Sequence, residues 1–139
     1  MRQTVDPADP ANTCWGCSPH NHTGLQLRFE PLDERTVRST YRAPEHQCGR
    51  EHTVHGGIQA AVLDEVMGAA LGLLLPPPLA CATAELQVRF RRAARTEIVL
   101  TVEARVVEES PPHYVVEATL SDDVDICTTA RARWRVLDG

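Results

Sequence analysis

Residues 55–75 read HGGIQAAVLDEVMGAALGLLL, and three prolines, Pro76 to Pro78, follow directly. From Ile58 to Leu75 the stretch carries only two charged residues, Asp64 and Glu65. A long apolar run that two glycines open and prolines end predicts one helix from Ile58 to Leu75. Because its apolar residues lie nearly all round the axis, we expect protein to cover this helix on most sides.

Alternating apolar and polar residues occur on both sides of this helix. Before it, two runs that a polar turn at 33–35 separates predict a hairpin: Leu25, Leu27, Phe29, and Val37, Ser39, Tyr41. Four further runs follow: Leu86, Val88, Phe90; Ile98, Leu100, Val102, Ala104, Val106; Tyr114, Val116, Ala118, Leu120; and Ala130, Ala132, Trp134, Val136. The predicted order of strands and helix along the chain is ββαββββ. It predicts a two-layer α+β domain in which one long helix lies across the apolar face of a six-stranded antiparallel sheet.

The chain of 139 residues has the size of one domain. Residues 1–23 are rich in Pro, Asn, Thr and Cys and lack periodicity, so they predict an irregular N-terminal arm before a domain at 24–139. Five cysteines and no apolar leader favour a reducing, cytoplasmic location. The prolines interrupt the uncharged run 66–84, so we predict no membrane span.

The charge balance argues against a nucleic-acid partner. The net charge is -5 and the isoelectric point about 5.6, so the chain repels a phosphate backbone on average. Aromatic residues make up only 4%, too few for a base-stacking platform. All 14 basic residues are arginine, a side chain that binds carboxylates and phosphates bidentately.

The predicted helix holds the candidate chemistry. Asp64 and Glu65 lie about 100° apart around the axis, so at least one of them should meet protein rather than bulk water. A buried carboxylate serves either catalysis or structure, for example by pairing with an arginine or at a subunit contact. The glycines Gly56 and Gly57 leave backbone N–H groups open at the positive end of the helix dipole. They suit either an oxyanion site or a plain tight turn.

These residues resemble the hotdog-fold acyl-CoA thioesterases, in the branch with HGG followed by an acid nine residues after the histidine, which includes phenylacetate-pathway and 4-hydroxybenzoyl-CoA thioesterase-like proteins. The segment 55–65 carries the most specific part of the likeness. The opening Cys14-Trp15-Gly16-Cys17 with Asn21 and Gly24-Leu25, and the strand 83–90, are also similar to those of many members. The likeness extends from about Cys14 to Trp134.

The resemblance implies a hotdog fold and thioester hydrolysis. It implies that Asp64 is the catalytic carboxylate, acting as general base or nucleophile, and that the N–H of Gly56 holds the carbonyl oxygen. Thr83 matches a position that helps to place the water or the acid. Members form homodimers, so Gly56 of one subunit would face Asp64 of the other. We expect no cofactor, since the coenzyme A thioester is itself the substrate.

Two positions depart from the pattern of many relatives. Cys48 and Gly49 stand where an Asn or Gln often precedes the histidine, and Ala93-Ala94 replaces a proline after the strand. His55 is expected either to order the loop by hydrogen bonding or to act as a second acid or base.

Substrate and metal ligands are expected as follows. Gly57 at the helix start, and Arg91 and Arg92 after the predicted strand, are the candidates for substrate binding, the arginines through the phosphates of coenzyme A. Four residues of metal-ligating type fall within nine positions: Cys14, Cys17, His20 and His22. Zinc sites usually draw a second ligand pair from a distant segment, so we expect no metal.

Two other functions stay open at this point. A non-catalytic hotdog module could bind acyl-CoA as a sensor, or a hotdog dehydratase or hydratase could move protons at adjacent carbons. The apolar helix has more surface than one sheet can cover, which predicts a homodimer or a dimer of dimers.

Overall fold

The computed structural model describes residues 9–76 and 80–137. Its elements are the strands β1 (Glu30–Pro31) and β2 (Thr36–Tyr41), a 3-10 helix at Glu45–Gln47, the helix α1 (Gly56–Leu74), and the strands β3 (Ala80–Phe90), β4 (Leu100–Ser110), β5 (His113–Ser121) and β6 (Ile126–Leu137). This is the predicted ββαββββ order.

The six strands form one antiparallel sheet in the order β1-β2-β4-β5-β6-β3. Helix α1 lies across one face of the sheet and contacts β2 to β6. Its sheet-facing residues are fully buried: Val62, Leu63, Val66, Met67, Ala70 and Leu71. They meet the inward residues of the strands, among them Val102, Val116, Leu120 and Trp134. The hotdog architecture, a helix wrapped by a six-stranded sheet, is confirmed.

Helix α1 begins two residues earlier than the predicted Ile58, because its glycines are already helical. The His55 side chain caps this first turn. The helix ends at Leu74, before Pro76, while Pro77 and Pro78 lie outside the described residues. With this side-chain cap in place, the helix starts at the glycines, before the apolar run begins.

The predicted first strand over Leu25, Leu27 and Phe29 is wrong. The structure has only Glu30–Pro31 as β1. Gln26 adopts a left-handed φ of 53°, which interrupts an extended strand. The N–H groups of Leu25 and Leu27 bond instead to carbonyls of the arm, at Trp15 and Gly16. The alternation still buries Leu25 and Leu27 in the core, so the pattern reported burial rather than sheet pairing.

Strand β3 also departs from the expected burial. It is the sheet edge, and a bulge between Thr83 and Glu85 shifts its register against β6. Leu86 is 37% exposed and Phe90 is 55% exposed. Helix α1 therefore covers these two apolar residues only in part. The predicted β4 residue Ile98 is likewise outside its strand and partly exposed.

Helix α1 has the length and mean hydropathy, 1.4, that a membrane span requires. Core helices of soluble proteins share these properties. In this fold the packing of α1 against five strands accounts for its apolar sequence.

Candidate active site

Asp64 lies on the side of α1 that faces β3. Its Oδ1 accepts a hydrogen bond of 2.6 Å from the Thr83 hydroxyl. Burial raises the pKa of Asp64 above its ordinary value of 3.8, and the bond from Thr83 opposes that rise. The carboxylate is half-buried, so one side remains open. The resemblance left open whether Thr83 places the water or the acid, and in the structure its hydroxyl contacts the acid.

The position of Thr83 follows from the bulge in β3. Thr83 pairs with the inward residue Trp134 of β6, and the register shifts immediately afterwards. The hydroxyl thus points toward the helix, while the next paired residue, Glu85, lies opposite the exposed Arg133. Two and three residues after Asp64, Val66 and Met67 are fully buried in the core, whereas Asp64 is only half-buried. Asp64 therefore lies at the margin of the core.

The start of α1 carries the second group of candidate residues. Nδ1 of His55 accepts the N–H of Gly57 at 2.9 Å, which requires that this nitrogen carries no proton. The carbonyl of His55 accepts the N–H of Gln59. Within residues 9–76 and 80–137 the N–H of Gly56 has no acceptor, as expected for a first-turn amide. Gly56 therefore offers a free donor at the helix N-terminus, whereas the donor of Gly57 is used in capping.

Phe90 forms one wall at this helix start. A Cβ atom built on Gly56 would lie 3.3 Å from the ring carbon Cζ of Phe90. The aromatic ring of this exposed residue of β3 therefore packs beside the Cα atom of Gly56. This contact was not anticipated, because the sequence gives no relation between Phe90 and the helix start, 34 residues before it.

The two predicted arginines differ in their surroundings. Arg92 donates to Asp122 Oδ1 at 3.0 Å and to the Asp125 carbonyl at 3.1 Å. The Arg92 guanidinium and backbone N–H groups hold the pKa of Asp122 well below its ordinary value. Arg91 is exposed, and its side chain has no ion-pair partner among the described residues. Arg92 thus ties down the β5–β6 turn, while Arg91 remains available to a ligand.

Glu65 points away from Asp64, toward the N-terminal arm. Its Oε1 accepts from the Cys14 thiol at 3.3 Å, and Cys17 lies in the same cluster. Burial raises the pKa of Glu65, and the charge of Asp64 raises it further. The sequence analysis did not find this contact, since 51 residues separate its partners. His20 and His22 are exposed and do not join the cluster.

A groove of about 680 Å³ lies on the outer face of the sheet, opposite α1. Outward residues line it, including Arg89, Arg105 and Arg131 together with Glu103 and Glu117. None of the candidate site residues contributes to it. The ion pairs of Arg38 with Glu103 and Arg131 with Glu117 explain its mixed charge without a ligand.

Comparison with known proteins assigns the fold to a family. The sequence model of the thioesterase superfamily matches residues 51–128, more than half of the chain. Among curated proteins, none matches the sequence.

Several solved structures are similar. A phenylacetic acid degradation-related protein from Ralstonia eutropha JMP134 is 26% identical, with a TM-score of 0.75 over 81% of this chain and 86% of that one. The PaaI protein of the E. coli phenylacetic acid degradation operon is 17% identical, with a TM-score of 0.74 over 83% and 82%. A hypothetical thioesterase of Streptococcus pneumoniae TIGR4, solved with coenzyme A, is 17% identical, with a TM-score of 0.72 over 80% and 85%.

Proposed function

This chain belongs to the thioesterase superfamily, and from that membership we propose that it hydrolyses the thioester of an acyl-CoA or of an acyl group on a carrier protein. Asp64 is the general base or the nucleophile, and the N–H of Gly56 donates to the carbonyl oxygen. Thr83 positions the carboxylate. The half-buried Asp64, held by one hydroxyl and open on its other side, is the observation that carries the proposal.

The chemistry requires few groups because a thioester carbonyl is already reactive. With Asp64 as base, its carboxylate takes a proton from water as the water oxygen attacks the carbonyl carbon. The negative charge that develops on the carbonyl oxygen is stabilised by a backbone N–H, a contribution of roughly 2.7–4 kcal/mol in acyl-transfer sites. The C–S bond then breaks, and the thiolate takes up the proton. With Asp64 as nucleophile, its carboxylate attacks the carbonyl carbon, and the C–S bond breaks to give an acyl anhydride and the free thiolate. Water then cleaves the anhydride into the acid product and the Asp64 carboxylate, and the thiolate takes up the released proton.

One subunit does not bring these two groups together. Asp64 lies eight positions after Gly56 on the same helix. A rise of about 1.5 Å per residue puts their backbones about 12 Å apart along its axis. A base that activates water and a donor on the carbonyl oxygen must lie within hydrogen-bond reach of the same reacting group. The proposed site therefore pairs Gly56 of one subunit with Asp64 of a second.

Features of a single chain support this dimer. Strand β3 is an eleven-residue edge with open backbone groups, and such edges are normally covered. Leu86 and Phe90 on this strand are exposed although both are apolar. On α1, Ala61 and Leu73 are only partly buried. A second copy would cover the edge and the helix together, and a dimer of dimers remains compatible with it.

His55 serves the site through the backbone in this proposal. The His55 side chain accepts the N–H of Gly57 and so caps the first turn, while the adjacent N–H of Gly56 is left to donate to the substrate. Arg91 is the proposed contact for the phosphates of coenzyme A, because it lies next to Phe90 and is unpaired among the described residues. The Streptococcus pneumoniae structure with coenzyme A supports this class of substrate. Gly57 and Arg92 do not contact the substrate in this proposal; they hold the backbone around the substrate site.

A thiol-release assay tests the function. The purified protein is incubated with a panel of acyl-CoAs and acyl-carrier proteins in the presence of a thiol reagent, with Asp64→Asn as the matched control. We expect free thiol from at least one substrate with the wild type only, since neither binding nor hydration of a double bond releases a thiol. If no substrate yields thiol while acyl-CoA binds, the chain is a non-catalytic binding module and the proposal is wrong.

A further inference from the structure

Three potential metal ligands meet where the N-terminal arm contacts α1. The Sγ atoms of Cys14 and Cys17 and a carboxylate oxygen of Glu65 all lie within 4.8 Å of one another. Cys17 is buried, and the other two side chains are half-buried. The proposed thioesterase chemistry uses none of them. This group, the Cys14–Cys17–Glu65 cluster, combines two segments that are far apart in the sequence.

We propose that the Cys14–Cys17–Glu65 cluster binds one Zn²⁺ ion, with a water molecule as the fourth ligand. Two sulfurs bound at about 2.3 Å in a tetrahedral site lie about 3.8 Å apart, and zinc accepts carboxylate oxygen at about 2.0–2.2 Å. The observed cluster needs only a small contraction to reach these distances. Two thiolates with one carboxylate suit zinc, whereas Mg²⁺ and Ca²⁺ prefer oxygen ligands alone.

Two hydrogen-bond donors already point at the sulfurs. The backbone N–H of Gly16 points at the Cys14 sulfur at 3.3 Å, and the Asn12 side-chain amide points at the Cys17 sulfur at 3.4 Å. Hydrogen bonds from such outer groups orient metal ligands and stabilise their charge. Without a metal, burial raises the pKa of the Cys17 thiol to about 12, and the bond from Asn12 only partly opposes that rise. Zinc binding therefore has to displace the thiol protons, after which these donors meet the thiolate sulfurs.

The glycine between the two cysteines is required for the third ligand to approach. A Cβ atom on Gly16 would lie 2.1 Å from Cδ of Glu65, a distance that the carboxylate cannot tolerate. The turn at residues 15–17 therefore lets Glu65 lie directly over it. The sequence analysis weighed His20 and His22 as the second ligand pair and expected no metal; the proposal departs from that expectation because the helix supplies a carboxylate, Glu65, from a distant segment.

Zinc at this point would fix the arm to the helix. The carbonyls of Trp15 and Gly16 hold the backbone N–H groups of Leu25 and Leu27, so the same turn also anchors the segment that leads to β1. Glu65 follows Asp64 in the sequence but points away from it, so the Cys14–Cys17–Glu65 cluster and the proposed catalytic carboxylate lie on different sides of α1. The role of the zinc ion is structural: a ligand that binds only the folded chain stabilises the fold.

Cobalt substitution tests the site without any substrate. The full chain, stripped of metal under reducing conditions, is titrated with Co²⁺ and then with Zn²⁺. We expect thiolate-to-cobalt charge-transfer absorption that saturates at one ion per chain and disappears when zinc displaces cobalt. Zinc should also raise the melting temperature of the metal-free protein, while Mg²⁺ should not.

The variants separate ligands from bystanders. Cys14→Ser and Glu65→Gln should each weaken cobalt binding by at least about tenfold, since even outer-shell changes cost about 10–100-fold. Cys48→Ser makes the same chemical change at a half-buried cysteine outside the cluster and should leave binding unchanged. Circular dichroism checks that each variant is folded.

The absence of charge-transfer absorption in the folded wild type would overturn the proposal, and so would cobalt binding that Cys14→Ser leaves unaltered. In either case the cluster is a hydrogen-bonded packing contact only. Thiol release from acyl-CoA is measured separately, so the loss of one conclusion does not affect the other.

Discussion

Asp64 and Glu65 are neighbours in the sequence, yet they lie in two different regions of the molecule. The turn of about 100° per residue points Asp64 at the hydroxyl of Thr83 on β3 and Glu65 at the thiol of Cys14 in the arm. Burial raises the pKa of both. Two carboxylates of equal chemistry therefore acquire different roles from what the fold brings next to each: a positioned base near an open edge, and a link to the arm.

Neutralising each acid in turn should give the largest difference between these regions. Asp64→Asn keeps the shape and the bond from Thr83 but removes the charge, so thioester turnover should fall by about 10²–10⁴-fold. Glu65→Gln should change kcat by less than about threefold, because Glu65 contacts the arm and not the reacting group. Steady-state thiol release on the best acyl-CoA measures both. Equal activity of Asp64→Asn and wild type, with Glu65→Gln inactive, would exchange the two roles.

Removing the N–H of Gly56 tests whether this amide donates to the carbonyl oxygen of the substrate. Proline fits the first helical position and lacks an N–H, and His55 already has the extended conformation that precedes proline, with φ -54° and ψ 135°. Gly56→Pro should therefore lower kcat by about 10²–10³-fold, the usual loss for one oxyanion donor.

Gly56→Ala is the matched control, because it adds a similar carbon beside Phe90 but keeps the N–H. We expect only a moderate loss from this contact. If the alanine and proline variants lose activity equally, the added carbon and not the missing donor is responsible, and the amide has no electrostatic role.

Thr83→Val should have a smaller and pH-dependent effect. The hydroxyl lowers the pKa of Asp64, so its removal raises that pKa and moves the acidic limb of the kcat/KM profile to higher pH. At the optimum, the loss should be about two- to tenfold, the value of one hydrogen bond of about 0.5–1.5 kcal/mol. Thr40→Val, an exposed threonine of β2, is the control. An unshifted acidic limb would mean that Asp64 is not the titrating group.

Stability should respond in the opposite sense to activity. Burial raises the pKa of Asp64 in the folded chain, so folding disfavours the ionised carboxylate. The stability that the protonated form contributes is therefore lost as pH rises through the folded pKa. Asp64→Asn should therefore melt slightly above the wild type at neutral pH. The difference should vanish below pH 3.8, the ordinary pKa of the group, where the carboxyl is protonated in both the folded and the unfolded chain. A variant that melts lower at neutral pH would indicate that the carboxylate stabilises the fold.

Periodicity predicted the helix and most of the sheet because these elements bury one face each. In β5 the alternate residues Tyr114, Val116, Ala118 and Leu120 are all buried, as the pattern indicates. The segment 25–29 has the same alternation but pairs with the arm, since period 2 reports which side is buried and not which backbone accepts the hydrogen bonds. In β3 the bulge and the edge position change exposure without changing the sequence pattern.

The candidate site was predictable in parts. A charged pair on an otherwise apolar helix identified Asp64 and Glu65, and the family resemblance identified Thr83 as a residue that places the water or the acid. The structure then showed its bond to Asp64. The contacts of Glu65 with Cys14 and of Gly56 with Phe90 join segments that share no periodic element, so no local signal could find them. The use of the Gly57 amide by His55 depends on a side-chain rotamer, which the sequence does not specify.

The composite site is the central claim, and a mixed dimer tests it most directly. Asp64→Asn and Gly56→Pro chains with different tags are co-expressed, and the heterodimer is purified through both tags. A site built from Gly56 of one chain and Asp64 of the other leaves one intact site in the heterodimer, so we predict about half of the wild-type thiol release, although both parent homodimers are nearly inactive. A heterodimer no more active than its parents would contradict the claim, because a site within one chain is damaged in both.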